Sequence, residues 1–132
     1  MRKLKNNLSE NYLLNLSNKL SEINQFETFP NPSVGAIGLD KNLKMYYGVT
    51  GKKGSPHAER NLLQNLKPNL ISSLFTSLEP YCHKGKNPPC TNLIIQKKVK
   101  NVITSSNDLD SRVFKKTQKI LKKKKVNFKC IK

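Results

Sequence analysis

Ser55-Pro56-His57-Ala58-Glu59 decides how this chain is read, together with Ser77-Leu78-Glu79-Pro80-Tyr81-Cys82 and Pro88-Pro89-Cys90 further on. Ser55 has the chemistry of a helix N-cap and Pro56 suits a first helical position, where no N–H is needed. The pattern therefore predicts a helix that opens at Pro56 and runs to about Leu66, with His57 and Glu59 in its first turn. Residues two apart do not share a helix face. At the open end of a helix, however, they splay, one towards a metal and the other towards a substrate beside it. Pro88 and Pro89 set up a second helix, from about 90 to 97, whose N-terminal end carries Cys90 and favours its thiolate. Two helix N-termini, one bearing an imidazole and one a thiolate, are expected to face one site.

His-x-Glu followed by Glu-Pro and then by cysteines is similar to the signature of the zinc deaminases, in which a His and two Cys hold Zn²⁺ and the Glu moves protons. The resemblance implies a metal with an open fourth position for water, whose pKa falls towards neutrality there. It also implies hydrolytic deamination, with Glu59 carrying a proton from water to a ring nitrogen and the departing ammonia. His57 and Cys90 are then metal ligands.

Further motifs narrow the family. Pro30-Asn31-Pro32-Ser33-Val34-Gly35-Ala36 lies upstream, and Leu78-Glu79-Pro80 leads into Cys82-His83-Lys84-Gly85-Lys86-Asn87-Pro88-Pro89-Cys90. With Pro56-His57-Ala58-Glu59 they resemble the deaminase domain of the bifunctional riboflavin-biosynthesis deaminase/reductases, the diaminohydroxyphosphoribosylaminopyrimidine deaminases of the cytidine-deaminase-like superfamily. The long loop ending Pro-Pro-Cys is more specific than His-x-Glu, because other members of that superfamily usually have a short Cys-x-x-Cys there. The resemblance runs roughly from residue 8 to 131 and implies a phosphorylated pyrimidine substrate and a homo-oligomer. By the same resemblance Asn31 hydrogen-bonds the substrate near Glu59, and the backbone at Ser77 lines the pocket near the leaving amine. His83, Lys84 and Lys86 are candidates for the ribose phosphate and Asp108 for a ribose contact.

The chain departs from that family in two places. Where the family has Leu-Glu-Pro-Cys, this chain has Tyr81, and a cysteine follows at Cys82. Three readings stand: Cys82 binds zinc with His57 and Cys90 in a loop slipped by one residue, His83 substitutes, or the site has lost a ligand. We take Cys82 as the third ligand, since a phenol is a poor substitute for a thiolate at zinc. After Asp108 the family's prolines are Leu109 and Ser111, and its Gly-x-Gly is replaced by Phe114-Lys115-Lys116. Two other functions follow from these departures. One is a deaminase of another nucleobase or nucleotide, distinguished by whether residues 83–87 grip a ribose phosphate. The other is a catalytically degenerate deaminase-fold binding module, with its positive surface turned to RNA.

At 132 residues the chain is expected to form one domain, without the reductase that accompanies the deaminase in bifunctional relatives; reduction then falls to a separate chain. Its 25 Lys and Arg against 8 Asp and Glu, a formal charge of +17, predict attraction to anions. No aromatic residues interleave with the basic runs, so a solvated lysine-rich surface accounts for the charge better than a nucleic-acid site. Cys82, Cys90 and Cys130 do not make a disulfide framework. No signal-peptide core or long apolar run is present, which predicts a soluble cytoplasmic protein with no membrane partner.

Apolar spacing at Tyr12, Leu13, Leu16, Leu20 and Ile23 predicts a helix over 9–24 capped by Ser9. Strands are expected at 34–39, 43–49, 69–78, 99–104 and 126–131, the third central and the last buried around Cys130. Val113, Phe114, Thr117, Ile120 and Leu121 predict a further helix over 109–124, ending in the cationic run 122–125. Helix, two strands, and then alternating helices and strands make a three-layer α/β/α sandwich around a five-stranded mixed sheet.

Overall fold

The computed structural model describes residues 2–80, 89–106 and 116–131, with side chains from residue 10 onward. In chain order the elements are α1 (Arg2–Leu20), β1 (Gly35–Asp40), β2 (Met45–Val49), a single 3-10 turn (Lys52–Gly54), α2 (Ala58–Leu63), β3 (Ile71–Thr76), α3 (Cys90–Gln96), β4 (Asn101–Thr104), α4 (Lys116–Lys123) and β5 (Asn127–Cys130). The strands form one sheet in the order β2-β1-β3-β4-β5. β1 runs antiparallel to β2 and β3, whereas β3, β4 and β5 are mutually parallel. The expected five-stranded mixed sheet is what forms.

Side chains alternate between the faces of a strand, and the central strands use this to supply two cores. Ala36, Leu74 and Val102 pack on one face with Leu62 and Leu63 of α2, Ile94 of α3 and Leu121 of α4. Ile37, Phe75 and Ile103 pack on the other with Leu13 and Leu14 of α1. The three layers are therefore α1, the sheet, and α2 with α3 and α4. β3 lies in the middle of the sheet, and its buried Leu74 and Phe75 explain the apolar run there. Among the described residues no helix is long and apolar enough to cross a membrane.

The helix expected over 9–24 is displaced towards the N-terminus. α1 begins at Arg2, so Ser9 lies inside it rather than capping it; no Pro or Gly between Arg2 and Leu8 interrupts helical geometry. Beyond Leu20 the chain turns, and Tyr12 and Ile23 are exposed instead of joining the core. The final strand is also less buried than expected. β5 is an edge strand whose residues alternate between exposed and half-buried, and Cys130 is half-buried. The helix expected over 109–124 is seen from Lys116, where Thr117 and Leu121 face the core; Val113 and Phe114 lie outside the described residues.

Two glycines permit close packing. A Cβ on Gly35 would overlap the Ser17 carbonyl oxygen of α1, and one on Gly48 would overlap the Ala58 carbonyl oxygen at the start of α2. Gly48 thus lets α2 lie directly on β2, which places the start of that helix.

Candidate active site

Residues 50–56 carry the chain from the end of β2 into α2. The start differs from the expected arrangement, because Ser55 is not the cap and Pro56 is not the first helical residue. The Pro56 carbonyl accepts the Gly51 N–H at 2.9 Å, closing a turn with the preceding loop. His57 itself occupies the N-cap position, with extended backbone (φ −67, ψ 157), and Ala58 opens the helix. His57 is thus held at the mouth of α2 while Glu59, in its first turn, is buried with 3% of its surface exposed.

On the other side of the site α3 begins at Cys90, with Pro89 as its extended N-cap, as the two prolines imply. Cys90 is fully buried, and its Sγ lies 3.3 Å from His57 Nδ1. Neither Cys90 nor Cys130 is in a disulfide. Burial, and then the nearby positive charge of Arg60, push the His57 pKa below its ordinary value, which keeps the imidazole in the neutral form that binds metals. Burial raises the Glu59 carboxyl to about 7, against a smaller opposing effect of a backbone hydrogen bond.

The donor pair fits zinc. Bonds of about 2.0 Å to nitrogen and about 2.3 Å to sulfur at a tetrahedral angle put the two ligand atoms about 3.5 Å apart, close to the 3.3 Å found here. Among the described residues no third His, Cys, Asp or Glu joins the pair. The expected third donor Cys82, and its competitor His83, lie outside the described residues, as do Lys84, Lys86 and Asp108.

A polar network anchors the Glu79-Pro80 segment that leads to those residues. The Glu79 N–H donates to the Ser106 carbonyl at 2.9 Å, and Thr117 Oγ1 of α4 donates to the Pro80 carbonyl at 2.7 Å. The Glu79 side chain is buried. Ser77 serves the sheet: its Oγ accepts the Gly35 N–H at 3.0 Å, and its carbonyl accepts the hydroxyls of Ser105 at 3.0 Å and Ser106 at 2.8 Å. The Asn31 side-chain amide donates to the Gly54 carbonyl at 2.8 Å, tying its loop to the one that delivers His57. From the sequence Thr117 is read only as part of the apolar stripe of its helix, and Asn61, treated below, has no assigned role; its one trace there is as a poor helix former just after His-x-Glu.

The family model of the cytidine and deoxycytidylate deaminase zinc-binding region matches residues 9–106. The chain belongs to this deaminase family. It is 36% identical over 123 residues to the diaminohydroxyphosphoribosylamino-pyrimidine deaminase of Buchnera aphidicola subsp. Schizaphis graminum, covering 92% of this chain and 84% of that one. It is 41% identical over 88 residues to the riboflavin biosynthesis protein RibD of Chlamydia trachomatis, covering 66% of this chain and 24% of the relative. Among solved structures, RibD of Acinetobacter baumannii superposes with a TM-score of 0.82 at 26% identity, covering 92% of this chain and 34% of that one. The chain thus spans most of the Buchnera deaminase but about a third or less of the two RibD proteins. His57 and Cys90 both lie within the residues that the zinc-binding-region model matches.

Proposed function

We propose that this chain hydrolytically deaminates the diaminohydroxyphosphoribosylaminopyrimidine intermediate of riboflavin biosynthesis. Water's oxygen adds to the amine-bearing ring carbon, the C–N bond breaks, ammonia leaves, and a ring carbonyl remains. The observation that carries the reading is the 3.3 Å approach of His57 Nδ1 to Cys90 Sγ at two helix N-termini, with the buried Glu59 two residues from the imidazole. The substrate follows the names of the relatives.

His57, Cys90 and Cys82 hold the zinc. When bound, zinc supplies Lewis acidity that brings the ionisation of water towards neutral pH. The remaining work belongs to the chain. Glu59 takes one proton from the attacking water on a carboxylate oxygen and passes it to the ring nitrogen, then takes the second from the hydroxyl on the ring carbon and passes it to the leaving amine. A carboxyl whose pKa burial raises to about 7 can both accept and release that proton near neutrality. The Gly54 carbonyl takes one N–H of the Asn31 amide, and the Asn31 Oδ1 is the atom that meets a substrate donor. The backbone at Ser77 lines the amine side of the pocket, His83, Lys84 and Lys86 hold the ribose phosphate, and Asp108 contacts the ribose. Exposed Tyr12, Leu43, Met45 and Tyr47 on α1 and around the edge strand β2 support assembly as a homo-oligomer.

Zinc content and ammonia release, measured on the native chain and on Cys82→Ala, test the reading. About one zinc per chain with turnover of the pyrimidine intermediate, both lost in the variant, is the expected result. Absence of zinc from the native chain after growth with zinc supplied overturns the hydrolytic mechanism and favours a binding module.

A further inference from the structure

Asn61 takes no part in the chemistry described above, yet its hydrogen bonds converge on the residue that supplies the imidazole. Its backbone N–H donates to the His57 carbonyl at 3.0 Å. Its side-chain amide donates to the Val49 carbonyl at 2.7 Å and, at a longer 3.4 Å, to the Pro56 carbonyl. The carbonyls of Pro56 and His57 belong to the two peptide groups that flank the His57 Cα. Val49 is the last residue of β2, so the shortest of the three bonds ties the arrangement to the sheet.

The orientation of those two peptide groups sets the direction in which the Cα–Cβ bond of His57 leaves the backbone. His57 is the N-cap: its carbonyl accepts the first helical bond, from the Asn61 N–H, but the peptide group before it lies outside the helix. The Asn61 side chain therefore joins the Gly51 N–H in holding the peptide group that the helix leaves outside, and it ties that group to the sheet. Asn24 and Asn31 also clamp the loop, through Thr50 at 2.9 Å and Gly54 at 2.8 Å, but both act three or more residues before His57. Asparagine favours helix interiors less than alanine does, and at position 61 it makes two side-chain bonds that alanine cannot.

We infer that Asn61 is a positioning residue for the metal site: its side chain presents the His57 ring by tying the peptide group before it to the end of β2, while its backbone N–H makes the first helical bond to the peptide group after it. The inference rests on the zinc reading proposed above. A merely structural role would lower the stability of the chain and leave the zinc affinity of the folded protein unchanged.

The test is zinc affinity by chelator competition, with the metal alone as probe, together with thermal unfolding of the metal-free chain. Asn61→Ala is expected to bind zinc about 10- to 100-fold more weakly than the native chain, the range found when groups that orient a metal ligand are removed. Asn61→Asp keeps the shape but removes the donor; it is expected to show the same loss and serves where Asn61→Ala does not fold. Asn127→Ala, which removes an amide bonded to Asn101 at 3.1 Å on β5, controls for the loss of an asparagine bond and is expected to bind zinc as the native chain does. A folded Asn61 variant within twofold of native affinity overturns the inference, as does an equal loss in Asn127→Ala. A native chain that binds no zinc overturns the zinc reading and this inference together, so the two failures are distinguishable.

Discussion

His57 Nδ1 and Cys90 Sγ lie 3.3 Å apart although 33 residues separate them, each held at the start of its own helix by an extended residue or an extended backbone. The contact forms because α2 and α3 pack side by side on one face of the sheet, through Leu62, Leu63, Leu93 and Ile94. The helix starts therefore meet at one place, and the imidazole and the thiol are brought together by the same packing that makes the core.

Replacing one of these donors should cost metal before it costs fold. Cys90→Ser changes one atom in a fully buried position, and zinc affinity is expected to fall by about two orders of magnitude or more because a neutral hydroxyl replaces a thiolate. Chelator competition measures the affinity, and circular dichroism establishes that the variant is folded. Unchanged affinity would remove Cys90 from the ligand set.

Glu59→Gln separates metal binding from proton transfer. The amide keeps the size of the buried side chain but cannot carry a proton, so zinc content is expected to stay near that of the native chain. Ammonia release is expected to drop by about 10² to 10⁴. A variant that keeps most of the rate would place the proton shuttle elsewhere.

The same residue predicts how the stability of the metal-free chain depends on pH. Burial raises the folded-state pKa of Glu59 from 4.5 to about 7, so between these values the folded form retains a proton that the unfolded chain has lost. Stability from this group is fully present below pH 4.5, falls as pH rises and is lost above about 7; the integrated change is on the order of 3 kcal/mol. His57 acts in the opposite direction, since its lowered folded pKa makes stability rise with pH below 6.5. The difference between the native chain and Glu59→Gln isolates the carboxyl, because both retain His57. Denaturant midpoints from pH 4 to 8 are expected to diverge in favour of the variant as pH rises; parallel curves would show that Glu59 is not desolvated.

Gly48→Ala tests the seat of α2. The new methyl group would overlap the Ala58 carbonyl oxygen and approach the Leu62 nitrogen to 2.9 Å. Relief requires the first turn of α2 to lift from β2, at a cost of about 1–3 kcal/mol. That turn carries His57 and Glu59, so zinc affinity is expected to fall with stability. A variant as stable as the native chain would mean that α2 is not held where it is found.

Much of the design is legible in sequence because it is local. Period-two and period-3.6 apolar patterns are properties of neighbouring residues, so the five strands and the central place of β3 could be read from runs such as Leu70-Ile71 and Leu74-Phe75. Pro89 before Cys90 marks the start of α3 for the same reason. The motif residues His57, Glu59 and Cys90 are recognisable by type and order, which is enough to name a deaminase and a metal.

Boundaries and partners are not local. Ser9 looks like a cap, but helical geometry passes through it, and Ser55-Pro56 looks like a helix start until the Gly51 N–H takes the Pro56 carbonyl and His57 becomes the N-cap. Hydrogen bonds between segments distant in sequence decide such points, because the carbonyl that a side chain reaches is chosen by how the elements pack. Family, chemistry and the candidates His57, Glu59 and Cys90 follow from residue type and order alone. That α2 and α3 bring imidazole and thiol to 3.3 Å, that burial raises Glu59, and that Asn61 reaches Val49 and Pro56 appear only once the chain is folded. Distance, desolvation and hydrogen-bond partners belong to the folded chain as a whole, since each depends on packing two or more elements against the sheet.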